Sequence, residues 1–254
     1  MTDHPPVPFD AEAVFQVDDY LYFYADMLTP ERTDAEVAAL VQALGLDRPM
    51  HILDLACGFG RHSNRLAALG HHMTGIDLMP GFLDLARRDA AERGVQVDYR
   101  QGDMRDLDFD ARFDRVMLLF TAFGYFDDDE NRRVLERIAR ALKPGGLLAL
   151  DVPNRDITAK TVPPCMVTEK DGNLMIDRNS FDPVTGRSTN RRIVIRDGVR
   201  RDKAFSIRLY SATEIRDLLL RAGLKVQDLY AGWDLAPFTI ESRRLVVVAR
   251  KPAE

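Results

Sequence analysis

The feature that most constrains the fold is a regular alternation of short apolar runs and longer amphipathic segments between His51 and Val152. Short runs of apolar and β-branched residues predict buried strands, and apolar residues at helical spacing predict the helices between them. Strands joined by helices of this length predict a mostly parallel sheet that is covered on both faces, which is a doubly wound α/β fold. The predicted strands are 51–56, 72–77, 95–101, 113–120 and 147–152, and the predicted helices are 61–69, 81–93 and 128–142.

Two further helices are predicted before the first strand. Residues 11–28 carry apolar and aromatic side chains at helical spacing. A second helix is predicted to begin after Thr33, with Glu36 as its partner in a capping box, and to end at Leu44 before a glycine.

The pattern changes after the alternation to short polar and β-branched segments broken by turn sequences. The pairs Asp171-Gly172 and Asp197-Gly198 are typical of β-hairpins. We therefore predict an antiparallel insertion over residues 161–209, which serves as a lid or as a dimer element with pairing strand edges. A helix capped by Ser211 and two final strands, 224–230 and 244–251, complete the chain.

Charge and cysteine content narrow the possible functions. A formal net charge of -5 argues against a chain that wraps a nucleic acid, because such chains usually carry a dominating basic face. No apolar run approaches the roughly 20 residues that a membrane helix needs, and the N-terminal residues lack the layout of a secretory signal. Cys57 and Cys165 are the only two cysteines and supply no disulfide framework or metal knuckle. We expect a cytoplasmic protein that acts on a small molecule, without nucleic acid or membrane as a partner.

The segment from Ile52 to Gly60 joins a predicted strand to a predicted helix through small residues. Such a loop lets the backbone approach a ligand closely, and the helix N-terminus beyond it offers unpaired N–H groups. A dinucleotide fingerprint would require a third glycine where Ser63 stands, and the sequence lacks the Gly-Lys-Ser/Thr of a Walker loop. The two phosphate-binding interpretations are therefore weakened, and the loop alone leaves its ligand open.

Carboxylates end the next two predicted strands. Asp77 stands at the tip of the second strand, where a ribose diol can donate two hydrogen bonds to it. Asp103, between Gly102 and Met104, ends the third strand, within reach of an adenine amine, and Met104 can pack on the ring. The two carboxylates favour a ligand that contains a nucleoside. Nicotinamide dinucleotides and S-adenosyl cofactors both contain one, so both remain possible at this point.

Together with the turn Lys143-Pro144-Gly145-Gly146, these motifs resemble the class I S-adenosylmethionine-dependent methyltransferases over residues 52–151. The one departure is Ala56, where that family often has glycine. Further segments are similar to a bacterial subgroup of small-molecule methyltransferases, namely 29–33, 120–126, 206–211 and 242–244.

The resemblance implies a fold and a domain organisation. The fold is a Rossmann-like, doubly wound sheet of seven mostly parallel strands, with a C-terminal antiparallel hairpin strand and the antiparallel β insertion. Residues 46–160 and 210–254 form the methyltransferase core, and the N-terminal helices of residues 1–45 cover the cofactor site.

The resemblance also implies S-adenosylmethionine as the cofactor and a role for each part of its site. The loop 54–60 holds the methionine moiety, Asp77 the ribose and Asp103 the adenine amine, while Arg32 or Arg61 pairs the methionine carboxylate. The predicted cofactor-binding residues are Tyr24, Arg32, Asp54, Ala56, Cys57, Gly58, Gly60, Arg61, Asp77, Leu78, Met79, Gly102, Asp103, Met104, Leu119 and Phe120.

Methyl transfer from a sulfonium is an in-line displacement, so the protein mainly aligns the acceptor and excludes water. An amine attacks through its lone pair once deprotonated, whereas a hydroxyl usually requires a base. The sequence offers no compelling base, and N- and O-methylation of a small molecule both remain open. The acceptor pocket is expected beneath the insertion, lined by Phe123, Tyr125, Asn154, Arg208, Tyr210 and Trp233. Nucleic-acid or protein methylation, and nicotinamide-dependent oxidation, are the alternative functions.

Three groups of residues admit two interpretations. The run Asp127–Glu130 could bind a metal, but it lies at the start of a predicted helix, where acidic residues interact favourably with the helix dipole. We therefore expect these residues to cap the helix and not to bind a metal. His62 faces the site, and a structural or cofactor-flanking role is favoured over a general base. The stripe Tyr20, Tyr22 and Tyr24 is explained either by ordinary packing or by a cover over the cofactor.

Overall fold

The computed structural model describes residues 9–253, and these form two β-sheets with helices around them. In chain order the helices are α1 Ala11–Val14, α2 Val17–Tyr24, α3 Pro30–Leu44, α4 Arg61–Ala68, α5 Pro80–Glu92, α6 Asp128–Ala141, α7 Arg155–Thr161 and α8 Ala212–Arg221. The strands are β1 His51–Leu55, β2 His72–Asp77, β3 Val97–Gln101, β4 Phe113–Leu118, β5 Leu142–Pro153, β6 Cys165–Lys170, β7 Asn173–Asp182, β8 Arg187–Arg196, β9 Val199–Arg208, β10 Lys225–Tyr230 and β11 Arg244–Arg250.

The large sheet has seven strands in the order β3-β2-β1-β4-β5-β11-β10. The strands β1 to β5 run parallel, and β11 pairs antiparallel with both β5 and β10. The predicted Rossmann-like sheet with its C-terminal antiparallel hairpin strand is confirmed. Its strand order reverses direction between β1 and β4, and ligands of open α/β sheets bind at such a switch point, outside the carboxyl ends of the strands.

The large sheet is buried on both faces, because successive side chains of a strand point to opposite sides. On β1, Leu53 packs in a cluster with residues of α6 and α8, whereas its neighbour Ile52 packs in a second cluster with residues of α3 and α4. Both side chains are 0% exposed. This packing fixes the positions of the strand tips, where the polar side chains lie.

The small sheet is an antiparallel meander in the order β6-β7-β8-β9, inserted between α7 and α8. The predicted antiparallel β insertion is confirmed. Both residues of Asp171-Gly172 and of Asp197-Gly198 have positive φ, between 51° and 77°, as tight two-residue hairpin turns require.

The N-terminal helices join the small sheet to the large one. Phe23 of α2 packs in a cluster with Met175 and Val194 of the small sheet. On the same helix, the ring of Tyr20 packs edge-on against Phe82 of α5 at 5.3 Å. The part of the predicted N-terminal segment that falls on residues 1–8 lies outside the described residues.

The predicted helices and strands need four corrections. The segment 11–28 forms two short helices and a 3-10 turn instead of one helix. Helix α3 begins one turn earlier than predicted, because Pro30 occupies its first turn and the side chain of Thr29 accepts a hydrogen bond from the backbone N–H of Arg32. Helix α7 was not predicted, and β5 begins at Leu142.

Within residues 9–253, no helix is long and apolar enough to cross a membrane. The same part of the chain contains no cluster of three or more His, Cys, Asp or Glu side chains placed to hold a metal ion.

Candidate functional site

A cleft lies at the carboxyl ends of β1, β2 and β4, at the switch point of the large sheet. The space inside it, together with the open solvent at its mouth, measures about 1000 Å³. The predicted cofactor-binding residues that line it are Asp54, Ala56, Cys57, Gly58, Arg61, Asp77, Leu78, Met79, Gly102, Met104, Leu119 and Phe120.

The loop after β1 turns sharply along the floor of the cleft. Ala56, Gly58 and Gly60 have φ of 57°, 54° and 75°, the left-handed region that glycine enters at little cost. Gly60 itself does not line the cleft. A side chain there would collide with the hydroxyl of Tyr99, so this glycine permits close packing behind the loop.

Asp77, at the tip of β2, is held by the backbone of the neighbouring loops. One carboxylate oxygen accepts a hydrogen bond from the N–H of Gly58 and the other from the N–H of Met79, both at 2.8 Å. Burial raises the pKa of Asp77, although these N–H groups oppose the rise. Since a carboxylate has about four acceptor positions, each oxygen keeps one for a ligand.

Asp54 is a buried carboxylate near the end of β1, just before the loop that carries Ala56, Gly58 and Gly60. It is 2% exposed and accepts a 2.6 Å hydrogen bond from the hydroxyl of Ser63. Burial raises the pKa of Asp54 to about 7, with the Ser63 hydrogen bond and the charge of Arg61 opposing the rise. A cationic ligand group beside this carboxylate would be favoured, because it compensates the buried negative charge.

The side of the cleft next to β3 is apolar. Met104 and Gly102 line it together with Ile76 and Phe126. Asp103 does not line it, because Arg105 takes up both of its carboxylate oxygens at distances down to 2.7 Å. The guanidinium of Arg105 lies 4.4 Å from the centre of the Phe126 ring, and Phe126 lines this side of the cleft.

Glu36 of α3 joins three cationic or imidazole groups beside the cleft. It accepts hydrogen bonds from Arg61 and, at 2.9 Å, from Arg32, and it lies 2.9 Å from Nε2 of His62. Burial alone would raise the pKa of Glu36, but the contacts with His62 and Arg61 outweigh it and lower this pKa to about 2. Burial lowers the pKa of His62 to about 4, so the ring is neutral and its Nε2–H donates to Glu36.

A second cavity adjoins the cleft beneath the small sheet, and its space, together with the open solvent at its mouth, measures about 1550 Å³. Tyr24, Arg32 and Trp233, which were predicted as site residues, line this cavity and not the cleft. Five residues line both spaces, and we call them the shared wall: Phe15, Tyr20, Phe120, Thr121 and Tyr125.

Asp151, near the end of β5, fixes part of the shared wall. One of its oxygens accepts from the N–H of Phe120 at 3.1 Å and from the indole of Trp233 at 3.3 Å, and the other accepts from Arg244 at 2.8 Å. Arg244 also donates to the hydroxyl of Thr121 at 2.8 Å. Phe120 and Thr121 have φ of 54° and 66°, so these contacts hold a strained turn in place.

Four of the six residues predicted to line the acceptor pocket lie outside both spaces. Phe123 and Tyr210 stack on each other at 5.6 Å within the core. Asn154 is 0% exposed and donates to the carbonyl of Ser242 at 2.8 Å. Arg208 pairs with Glu214 at 2.8 Å and donates to a backbone carbonyl. Their packing and hydrogen bonds within the protein turn these side chains away from the cavity.

Several lining residues were not predicted from the sequence. Phe9, Phe15 and Phe82 line the cleft, and Arg192, Phe205 and Arg244 line the second cavity. The aromatic spacing of the N-terminal segment was a usable signal for Phe9 and Phe15, together with Tyr20, but Phe82 lies on α5 and had no such signal. Arg192 and Phe205 carry no such signal, because only the pairing and docking of the small sheet bring them to the cavity.

The fold and the cleft define a class of protein. Three features of the switch point fit a ligand that contains a nucleoside. They are a carboxylate with a free acceptor position on each oxygen, an apolar slot beside it, and a glycine loop without a phosphate fingerprint.

Comparisons with known proteins narrow this class. Residues 52–146 match the family described as a methyltransferase domain. The cypemycin N-terminal methyltransferase of a Streptomyces species is 30% identical over 231 residues, which cover 84% of this chain and 89% of that relative. The chain belongs to the class I S-adenosylmethionine-dependent methyltransferases, and the nicotinamide-dependent alternative is set aside.

Solved structures agree with this fold. The methyltransferase CcbJ from Streptomyces caelestis is 24% identical with a TM-score of 0.75, and the match covers 87% of this chain and 90% of that chain. The sugar N-methyltransferase KedS8 from Streptoalloteichus sp. is 22% identical with a TM-score of 0.70, and the match covers 99% and 98% of the two chains. Both methyltransferases have a similar fold over nearly their whole length.

Proposed function

We propose that this chain transfers the methyl group of S-adenosylmethionine to a nitrogen atom of a small molecule bound in the second cavity. The shared wall carries this proposal. It consists of aromatic rings and hydroxyl groups, and none of its five residues has a carboxylate, an imidazole or an amine that could serve as a base.

The residues of the cleft suit the parts of the cofactor. Asp77 accepts hydrogen bonds from the ribose diol, and the slot at Met104 and Gly102 takes the adenine ring. Asp54 pairs with the methionine ammonium, and Arg61, which is buried beside the cleft, pairs with the methionine carboxylate. The cofactor supplies a methyl group on a sulfonium, and its acceptor approaches through the shared wall.

The shared wall excludes water from the reacting atoms and orients the acceptor. Phe15, Tyr20 and Tyr125 contribute ring faces and edges, and Asp151 fixes the backbone at Phe120. Aromatic rings around the acceptor also stabilise a nitrogen that gains positive charge as it is methylated. An aromatic enclosure therefore favours the charge that develops in N-methylation.

The ionisation of nearby groups also favours nitrogen over a hydroxyl oxygen. Burial raises the pKa of Tyr20 and of Tyr125, so both hydroxyls keep their protons. His62, with a pKa of about 4, is a weak base. The oxygens of Glu36 and Asp151 already accept hydrogen bonds from arginines. An amine needs no such base once it has lost its own proton, whereas a hydroxyl does.

The names of two relatives that match over most of the chain support the same acceptor. The Streptomyces relative is a cypemycin N-terminal methyltransferase, and KedS8 is a sugar N-methyltransferase. Both act on nitrogen. The formal net charge of -5 and the aromatic lining of the cavity favour a small molecule over a nucleic acid.

The test is methyl transfer to matched pairs of probes that differ only in the acceptor atom. Radiolabelled S-adenosylmethionine is offered with cyclohexylamine or cyclohexanol, and with phenethylamine or 2-phenylethanol. We expect transfer to the amines alone, with a rate that rises with pH as the amine loses its proton. Transfer to the alcohols at equal rates would overturn the assignment of nitrogen. Asp77→Asn, which weakens cofactor binding, is the control for transfer at this site.

A further inference from the structure

A buried arginine of the small sheet borders the second cavity. Arg192 of β8 is 9% exposed and lies opposite Asp177 of β7. Asp177 accepts from Nε at 2.6 Å and from Nη2 at 2.9 Å, and Nη2 also donates to the hydroxyl of Tyr24 at 2.9 Å. This arrangement fixes the plane of the guanidinium.

The same arrangement leaves one end of the guanidinium free of these partners. Arginine has five N–H donors in a rigid fork, and Asp177 and Tyr24 engage only those on Nε and Nη2. The two N–H groups of Nη1 take no part in either contact. A pre-oriented donor at the edge of a cavity is a suitable partner for a polar group of a bound molecule.

Arg192 lies close to the place where the methyl group is transferred. Tyr24 stacks on Tyr20 with ring centres 4.8 Å apart, and Tyr20 belongs to the shared wall. The guanidinium of Arg192 lies 5.7 Å from the ring centre of Tyr24 and 5.5 Å from that of Phe205. One tyrosine ring therefore separates Arg192 from the shared wall.

The charges around the cavity decide which polar group fits. Asp177 balances the charge of Arg192, Asp151 balances that of Arg244 at 2.8 Å, and Arg32 pairs with Glu36 at 2.9 Å. Each arginine that lines the cavity thus has a carboxylate partner. Such a cavity offers hydrogen-bond donors without an excess of positive charge, which suits an uncharged oxygen better than a carboxylate.

We propose that Arg192 is a specificity-determining residue, whose Nη1 donates a hydrogen bond to an uncharged oxygen that the acceptor carries close to its amine. This proposal rests on the proposed function and names its substrate class, an amine with a neighbouring hydroxyl or carbonyl oxygen. A hydroxylated ring amine and an amino-terminal amide share this chemistry.

The test compares amines that carry a hydroxyl or a carboxamide next to the amine with the same amines without that group. The first pair is trans-2-aminocyclohexanol and cyclohexylamine, and the second is phenylalanine amide and phenethylamine. Binding of each probe to the enzyme loaded with S-adenosylhomocysteine is measured by calorimetry, and methyl transfer is followed as KM and kcat. We expect the oxygen-bearing member of at least one pair to bind about 10-fold tighter, mainly through KM, since a hydrogen bond to a charged donor contributes on this scale. Preference in the first pair identifies a hydroxyl, and preference in the second a carbonyl.

The variants separate this role from a structural one. The double variant Arg192→Met/Asp177→Leu removes both buried charges together and is expected to reduce the preference to about one-fold while binding of the plain amine persists. Arg192→Lys keeps the charge but lacks the guanidinium fork, so it is expected to lose the preference for the oxygen-bearing probe as well. This variant replaces the double variant in the test if the double variant does not fold. Arg191→Met, at the exposed neighbouring position, is the matched control and is expected to keep it.

The outcomes are distinct for the two proposals. Equal binding of both members of both pairs by the native enzyme, or a preference that survives in the double variant and in Arg192→Lys, overturns the role of Arg192. Failure of S-adenosylhomocysteine to bind the native enzyme instead overturns the proposed function.

Discussion

The carboxylate of Asp54 is buried beside a cleft, and its charge is only partly compensated within the protein. It is 2% exposed, and the hydrogen bond from Ser63 and the charge of Arg61 offset part of the cost of burial. The resulting pKa of about 7 makes Asp54 the carboxylate whose ionisation responds most directly to a bound cation.

We expect cofactor binding to release a proton from Asp54 at mildly acidic pH. In the free enzyme the carboxyl of Asp54 is protonated below a pH of about 7, whereas the ammonium of the bound cofactor favours the ionised carboxylate. The affinity for the cofactor therefore falls as the pH drops below 7. Calorimetry with S-adenosylhomocysteine in two buffers of different ionisation enthalpy measures the protons released. In Asp54→Asn the release should disappear, while Asp98→Asn, an exposed control on β3, should retain it. Equal proton release from Asp54→Asn and the native enzyme would contradict the assignment of the released proton to Asp54.

The sequence predicts the position of a residue well where the strand order determines it. Asp77 was placed at the cleft because the carboxyl ends of parallel strands meet at one edge, and Asp54 because its loop resembles that of the family; both residues line the cleft. Asp103 stands at the same edge, but the partner of its carboxylate is Arg105, two residues further on, and that contact turns it from the cleft. Phe123 and Tyr210 were assigned to a pocket although they stack on each other, a pairing that no local pattern reveals.

At the level of elements, helix α8 shows which local signals are decisive. Ser211 and Glu214 form both hydrogen bonds of a capping box, as the sequence predicts. The same pattern at Thr33 and Glu36 predicted a cap that does not form, because Pro30 starts the helix earlier and Glu36 turns to Arg61 and His62. Glu214 keeps its capping contact although it also pairs with Arg208, so the two sites differ in position: Ser211 stands directly before its helix, whereas Thr33 lies inside one.

Loss of this cap should destabilise the protein modestly. We expect Ser211→Ala to lower the free energy of unfolding by about 1 kcal/mol, because the first turn of α8 loses a hydrogen-bond acceptor for the N–H of Glu214. For a domain of this size that corresponds to a melting temperature about 2–4 °C lower. Calorimetric melting checks this, with Arg216→Ala, an exposed position on the same helix, as the control. An unchanged melting temperature in Ser211→Ala, or an equal decrease in the control, would show that the cap contributes nothing.

At the scale of the whole molecule, the two sheets and the N-terminal helices enclose the cavities together. The large sheet supplies the cleft, the small sheet supplies one side of the second cavity, and the N-terminal segment supplies Phe15 and Tyr20 of the shared wall. The sequence predicts each of these parts from local patterns. Their docking depends on contacts between residues far apart in the chain, such as Asp19 with Lys203, and no local pattern predicts those.

Asp19 is the charged residue through which α2 meets the small sheet. It is 4% exposed and lies 3.5 Å from Arg196, 3.5 Å from Arg201 and 3.4 Å from Lys203. Removing this carboxylate leaves three cations close together without their common partner, which is destabilising for buried charges. The effect should be local, because the core of the large sheet packs independently of α2.

We therefore expect Asp19→Asn to loosen residues 9–27 without unfolding the large sheet. Hydrogen exchange followed by mass spectrometry should show faster exchange in this segment and in β9, and unchanged exchange in β1 and β4. Affinity for S-adenosylhomocysteine should decrease about 10-fold, since the cover over the cleft then costs about 1.4 kcal/mol more to order. Asp18→Asn, the exposed neighbour on the same helix, is the matched control. If exchange in the N-terminal segment is the same in both variants, the carboxylate of Asp19 does not hold this segment on the small sheet, and other contacts of α2, such as those of Tyr22 and Phe23, do so.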